Sequence, residues 1–406
     1  MELPMLLSGA IAMEVRELAK SVHWVGARDW DRRLFDGLIP LPHGTTYNSY
    51  LVKGEKAIAL IDTVNPGFEE QLKAKVETLT PLDKIDYLIM NHAEPDHASA
   101  IPFILERSPR AKLVLTEKGA KLATALYHPP VDRVMVVKEG DRIDLGGKTL
   151  RFIDAPFLHW PETMFTYLEE DKILFPCDFF GAHTAAGDVS QEIVDYDWLA
   201  KTYFGEIMMP FAKSGRNAMD KLEKLEIKLI APSHGPMHDD PGHIMGLYRN
   251  WTNGRTVRKV VVAYVSMWRS TQQLVEAMVQ AMLDQGVDVR VFNLAESEVA
   301  SLAGELVDAE GIVLGAPTVL GGLHPQGLYA AALVKAFKPP AKYAAVLSSF
   351  GWGGGAVKQA LDILGPTKIE LLGAVEVNGR PMETDLQKAA ELGKLMASKV
   401  KERPLT

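Results

Sequence analysis

The second half of the chain alternates strictly between short apolar runs and helical stretches, and few architectures accept that rhythm. KVVVAYV leads to a helix from Thr271, DVRVFNL to a helix around Ser297 to Val307, and GIVLGAP to one from Gln326. YAAVLSSF leads to one from Ala356, and IELLGAVEV to a last one from Glu383 to Lys401. Strand and helix in turn, repeated through about 150 residues, predict a doubly wound parallel sheet with helices on both faces.

The first half keeps a different time. HWVGA, TTYNSYLV, AIALIDT and IDYLIM read as strands broken by turn signals, with a helical stretch at Phe68 to Thr78. Further strands are expected at KLVLT, RVMVV, LRFIDA, MFTYLEE, KILFPCD and IKLIAPS, and helices at Tyr196 to Lys213 and Arg216 to Lys224. Sheets with peripheral helices imply an α/β sandwich. At 406 residues the chain exceeds the roughly 250 to 300 at which a single core stops growing. Two domains are therefore expected, residues 1–253 and 254–406, the boundary falling where the rhythm changes after Trp251 to Arg258.

Composition narrows the partners. A net charge of −8 disfavours nucleic acid, which asks for a clustered basic face. The single cysteine, Cys177, excludes an internal disulfide, a cysteine zinc site and an iron–sulfur cluster, and suits a reducing cytoplasm. The opening MELPMLLSGAIA carries Glu2 where a leader would be basic, and its apolar run is too short to span a membrane. It reads as an extension, residues 1 to 12, with Met13 a second plausible start.

Chemistry concentrates at strand ends. After IDYLIM comes NHAEPDHA, so His92, Glu94, Asp96 and His97 leave one strand together. Two imidazoles and two carboxylates gathered in a buried turn need a cation to offset their cost. His159 in FLHWPE, Asp178 after KILFPC and His234 in PSHG each follow an apolar strand in the same way. Cys177 reads as a small buried hydrophobe; His183, Trp160 and Tyr203 read as core packing able to line the pocket.

In the second half, Ser266, Met267, Trp268, Arg269, Ser270 and Thr271 join a strand to a helix, placing hydroxyls and backbone N–H groups where phosphate binds. The loop lacks the G-x-G-x-x-G pattern of dinucleotide sites. Two later loops end strands: APTVLGG, with Pro317, Thr318, Val319, Leu320 and Gly321, and SSFGWGGG, with Ser349, Phe350, Gly351, Trp352 and Gly353. Their glycines admit a ring system close to the backbone, and Trp352 is able to stack on or flank it.

NHAEPDH, LHWPE, CDFFG and SHG resemble the ligand motifs of the metallo-β-lactamase superfamily in its flavodiiron branch, and the three later loops resemble the FMN loops of flavodoxins. The likeness covers nearly the whole chain and is to the A-type flavodiiron proteins. It implies a metallo-β-lactamase-like αββα sandwich followed by a flavodoxin-like domain. It assigns one iron to His92, Glu94 and His159, the other to Asp96, His97 and His234, and makes Asp178 the bridge. Hydrolytic members usually carry His where Glu94 stands; the extra carboxylate is a hard ligand that suits iron. Two Fe and one FMN are the implied cofactors, and reduction of O2 to water or NO to N2O the implied reaction. TVLGG is more apolar than in some relatives, which bears on how FMN is held.

The resemblance also implies a homodimer, or a dimer of dimers, in which the FMN of one subunit meets the iron of another. The electron donor is a separate partner, a rubredoxin or a reduced deazaflavin. Two other readings stay open at this point: a zinc-dependent ester hydrolase with a regulatory flavodoxin-like domain, and a non-catalytic electron carrier or gas sensor.

Overall fold

The computed structural model describes residues 14–297 and 299–402; the extension read at residues 1 to 12 lies outside them. The chain divides into two compact units. One runs to Arg249 without residues 38–40 and 204–212; the other consists of those two short segments and the described residues from Asn250 onward.

In the first unit a seven-stranded sheet has the spatial order Arg16–Ala19, Val22–Trp24, Tyr50–Lys53, Ile58–Ile61, Tyr87–Ile89, Lys112–Leu115, Val134–Val136. The early pairs are antiparallel, and from Ile58–Ile61 onward the pairing is parallel. A five-stranded sheet follows in the order Arg142–Asp144, Thr149–Asp154, Met164–Leu168, Ile173–Phe175, Leu229–Ile230. The period of two explains the layers. Ile89 and Val114 pack with Phe152, Met164 and Phe175 between the sheets. Their neighbours Leu88 and Leu113 point the other way, onto Leu72, Val76, Ile101 and Ile104 of the covering helices.

In the second unit the sheet order is Asp288–Asn293, Val257–Tyr264, Ala309–Gly315, Tyr343–Phe350, Glu370–Asn378, and every pair is parallel. Numbered along the chain that order is 2-1-3-4-5, with its switch point between the first and third strands, where such sheets collect ligands. Ala309–Gly315 is buried throughout, as a central parallel strand covered on both faces must be.

Two expectations need correction, and further helices are present. The helix read over Tyr196 to Lys213 is interrupted: Tyr196–Tyr203 is α-helical, Phe204–Met208 is a π-helix, Met209–Phe211 a 3₁₀ turn, and a new helix spans Ala212–Leu222. Pro210 has no N–H to continue an α ladder. TTYNSYLV is two strands, Thr45–Tyr47 and Tyr50–Lys53. Asn48 and Ser49 part them, and the Asn48 amide donates to the carbonyls of Pro232 and Gly235 at 2.8 and 2.9 Å. Helices at Ile101–Arg107, Glu117–Leu126 and Pro241–Thr252 were not anticipated; they are too short, or too interrupted by Gly and Pro, for periodicity to announce them. No described helix is long and apolar enough to cross a membrane.

Candidate metal centre and flavin loops

Each histidine or carboxylate singled out in the first half leaves a strand at its C-terminal end. Tyr87–Ile89 delivers His92 to His97, Thr149–Asp154 delivers His159, Ile173–Phe175 delivers Asp178 and Leu229–Ile230 delivers His234. The fold brings all seven residues into two adjoining groups. In the first, the ligating atoms of His92, Glu94, His159 and Asp178 lie within 4.8 Å of one another, and so do those of Asp96, His97 and His234 in the second.

Asp178 stands between the groups. Its Oδ2 lies 3.5 Å from Nε2 of both His92 and His159, and its Oδ1 lies 3.0 Å from Nε2 of His97 and 3.7 Å from that of His234. Glu94 Oε2 completes the first group at 3.1 Å from His92 Nε2 and 2.9 Å from His159 Nε2. Asp96 Oδ2 completes the second at 3.0 Å from His234 Nε2 and 3.2 Å from His97 Nε2.

The electrostatics ask for positive charge. Burial works against a charged His92, yet its hydrogen bonds to Glu162 and Glu94 hold it well above the usual imidazole value. Burial likewise opposes charge on His97, and Asp96 and Asp178 overcome it, raising the group to about 9. Asp96 Oδ1 and His97 Nδ1 are buried without a hydrogen-bond partner, a costly arrangement among protein groups alone. Oxygen-rich and imidazole donors of this kind fit a pair of iron ions, and the Cys177 Sγ is a softer donor within 4.8 Å of the ligating atoms of His97 and Asp178. Burial pushes the Cys177 thiol well above its usual value.

Around the ligands lies a shell that the sequence did not announce. His92 Nδ1 meets Glu162 Oε1 at 2.8 Å and His234 Nδ1 meets the Thr46 carbonyl at 2.6 Å. In each case the other nitrogen, Nε2, faces the carboxylates. The Ser233 hydroxyl donates to Asp178 Oδ1 at 2.6 Å. Asp62 accepts from the Asn91 backbone N–H at 2.8 Å and from its side-chain amide at 3.0 Å, anchoring the residue before His92. Glu162 is the last letter of LHWPE and Asn91 the first of NHAEPDHA, so a closer look at those runs had the signal. Thr46 acts through its backbone and leaves no signal.

His183, Trp160 and Tyr203 do line the centre. Trp160 sits edge-on to His92 at 5.1 Å, and His183 contacts His234 at 4.9 Å, Tyr203 at 4.9 Å and Phe35 at 4.8 Å. Burial drives His183 well below the usual imidazole value, so it is neutral, with Nδ1 3.0 Å from the Thr45 hydroxyl.

The three loops of the second unit end neighbouring strands and are laced together. Thr271 Oγ1 lies 2.9 Å from Ser349 Oγ, joining the first to the third, and Thr318 Oγ1 accepts from the Ala356 N–H at 3.1 Å, joining the second to the third. Gln359, which sequence reasoning missed, accepts from the Leu323 N–H at 2.6 Å. Ser266 Oγ accepts from the Gln272 N–H at the start of the helix Ser270–Leu283. Arg269 and Leu320 hold left-handed backbone at φ 67° and 52°, a conformation that persists where surrounding structure enforces it. The hydroxyls of Ser266, Thr271, Thr318 and Ser349 thus shape the loops.

A model of the ODP family beta lactamase matches residues 45–235. The nitric oxide reductase of Moorella thermoacetica is 36% identical over 392 residues, covering 94% of this chain and 98% of that protein. Among solved structures, rubredoxin oxygen:oxidoreductase from Desulfovibrio gigas superposes with a TM-score of 0.93 at 28% identity, over 96% of this chain and 99% of that one. The flavodiiron protein of Giardia intestinalis gives 0.90 at 28% identity, over 95% and 97%. Two strand-end ligand groups sharing one carboxylate, a 2-1-3-4-5 parallel sheet behind them in sequence, and relatives matched from end to end lead to one conclusion: the chain belongs to the flavodiiron protein family.

Proposed function

We propose that this chain reduces O2 to water, or NO to N2O, at a di-iron pair supplied with electrons through FMN. The observation that carries the reading is Asp178, whose two oxygens face one ligand group each. His92, Glu94 and His159 would hold one iron, Asp96, His97 and His234 the other, with residues 1–253 as the metal domain and 254–406 as the flavin domain. Ser266 to Thr271, Pro317 to Gly321 and Ser349 to Gly353 would hold FMN.

When bound by these residues, the irons would supply reversible one-electron chemistry and FMN would supply a carrier able to hold one or two electrons. The protein's part is to hold and exclude. Phe35, Trp160 and Tyr203 give the centre an apolar and aromatic wall, which admits a small uncharged gas and limits water. Neutral His183 and the Thr45 hydroxyl place a hydrogen-bonding pair against that wall. The balance is O2 with four electrons and four protons to two waters, or two NO with two electrons and two protons to N2O and water.

The electron donor is a separate small carrier, a rubredoxin or a reduced deazaflavin, acting on a cytoplasmic protein. Around the flavin loops Trp268, Leu320 and Trp352 are 86%, 94% and 95% exposed. Large apolar side chains held outward at loop tips suit a surface that another molecule covers, here the flavin that the same loops would hold. Metal and flavin analysis followed by gas consumption after anaerobic reduction tests the proposal. About two iron and one FMN per chain with rapid loss of O2 or NO is expected. Two zinc with ester hydrolysis, or flavin cycling without gas turnover, would overturn it.

A further inference from the structure

We propose that Glu162 is a positioning residue that makes the two metal positions unequal, giving the one built from His92, Glu94 and His159 the tighter hold. The inference rests on the metal reading above and concerns a residue outside the ligand set. Glu162 is 3% exposed, and its carbonyl is fixed by the Thr116 hydroxyl at 2.9 Å, the same hydroxyl that caps the helix Glu117–Leu126. One carboxylate oxygen, Oε1, accepts the Ala93 backbone N–H at 2.9 Å and meets His92 Nδ1 at 2.8 Å.

The backbone N–H is a donor whatever the state of the imidazole, so Oε1 is an acceptor and Nδ1 carries the proton. When neutral, His92 is thereby held in the tautomer whose free lone pair is on Nε2, facing Glu94 and Asp178. A charged acceptor also draws the Nδ1 proton toward itself and makes Nε2 a stronger donor to a cation. Among the described residues the other position has no such carboxylate hydrogen bond. His234 Nδ1 is backed by the neutral carbonyl of Thr46 at 2.6 Å, and His97 Nδ1 is buried with no hydrogen-bond partner. With Asp178 shared, the position of His92 has a carboxylate hydrogen-bonded behind its histidine, and among the described residues no carboxylate hydrogen-bonds to Nδ1 of His97 or His234.

The test uses the full chain stripped of metal and titrated with Co2+, whose ligand-field absorption reports each ion without any turnover. His234→Ala leaves the first position to be read and His159→Ala leaves the second. Glu162→Ala should lower Co2+ affinity about 10- to 100-fold in the first background and by less than about threefold in the second. Glu162→Gln, which keeps shape and an acceptor but loses the charge, should give a smaller loss in the same background only. Equal losses in both backgrounds would show a general structural role, and no loss in either would show none; both overturn the inference while the metal reading stands. A parent chain that takes up no Co2+ removes both.

Discussion

Ser233 shows how much of the centre depends on single side chains that bind nothing themselves. Its hydroxyl gives Asp178 a charge-assisted hydrogen bond on the oxygen facing His97. Ser233→Ala should leave the fold intact and lower iron retention roughly tenfold, the usual effect of removing a partner of a ligand, as measured by chelator competition. Glu206 makes a different point. It lies in the π-helix Phe204–Met208 with Oε1 buried and unpartnered, and burial raises its pKa to about 8. Because the folded value is the higher one, this group's contribution to stability is complete below about 4.5 and is lost as pH rises through about 8. Glu206→Gln should match the parent in acid and exceed it by on the order of 2 kcal/mol near pH 9, read as a shift in the urea midpoint.

The elements divide into those that announce themselves and those that do not. Strands ending at Ile89, Asp154, Phe175 and Ile230 are legible because each is a short apolar run that stops at a polar turn, and the candidate ligands stand just beyond the stop. The π-helix is not legible. Its residues FGEIM continue the apolar spacing of Tyr196–Tyr203, and the packing of Gly205 against the Ala303 backbone in the second unit is visible only in the folded chain. The flavin loops depend on a similar approach. A Cβ at Gly355 would stand 2.2 Å from the Gly321 carbonyl oxygen, so Gly355→Ala should separate the second and third loops. FMN affinity should fall at least about tenfold with metal content unchanged, measured by flavin fluorescence on dilution.

At the scale of the molecule, each unit has its own core, the first in two clusters on either side of the seven-stranded sheet and the second around Val260, Val313 and Leu347. A ligand stabilises the unit that holds it. Chelation should therefore lower the thermal transition of the first unit, and removal of FMN that of the second, as followed by calorimetry on the full chain. Equal shifts of one common transition under both treatments would count against the assignment of cofactors to units.

The sequence by itself determined the kinds of atoms available and the order of strands and helices, because ligand chemistry restricts residue types and burial leaves periods of two and 3.6 along the chain. His92, Glu94, Asp96 and His97 were readable since they sit within six residues of one another. Only the tertiary structure decided which atoms meet. Glu162 reaches His92 across 70 positions and Thr46 reaches His234 across 188, through a side chain in one case and a backbone carbonyl in the other. Local pattern reports what a residue buries, not what it faces. The orientation of each imidazole, and the inequality between the two metal positions that follows from it, is set where distant strand ends converge.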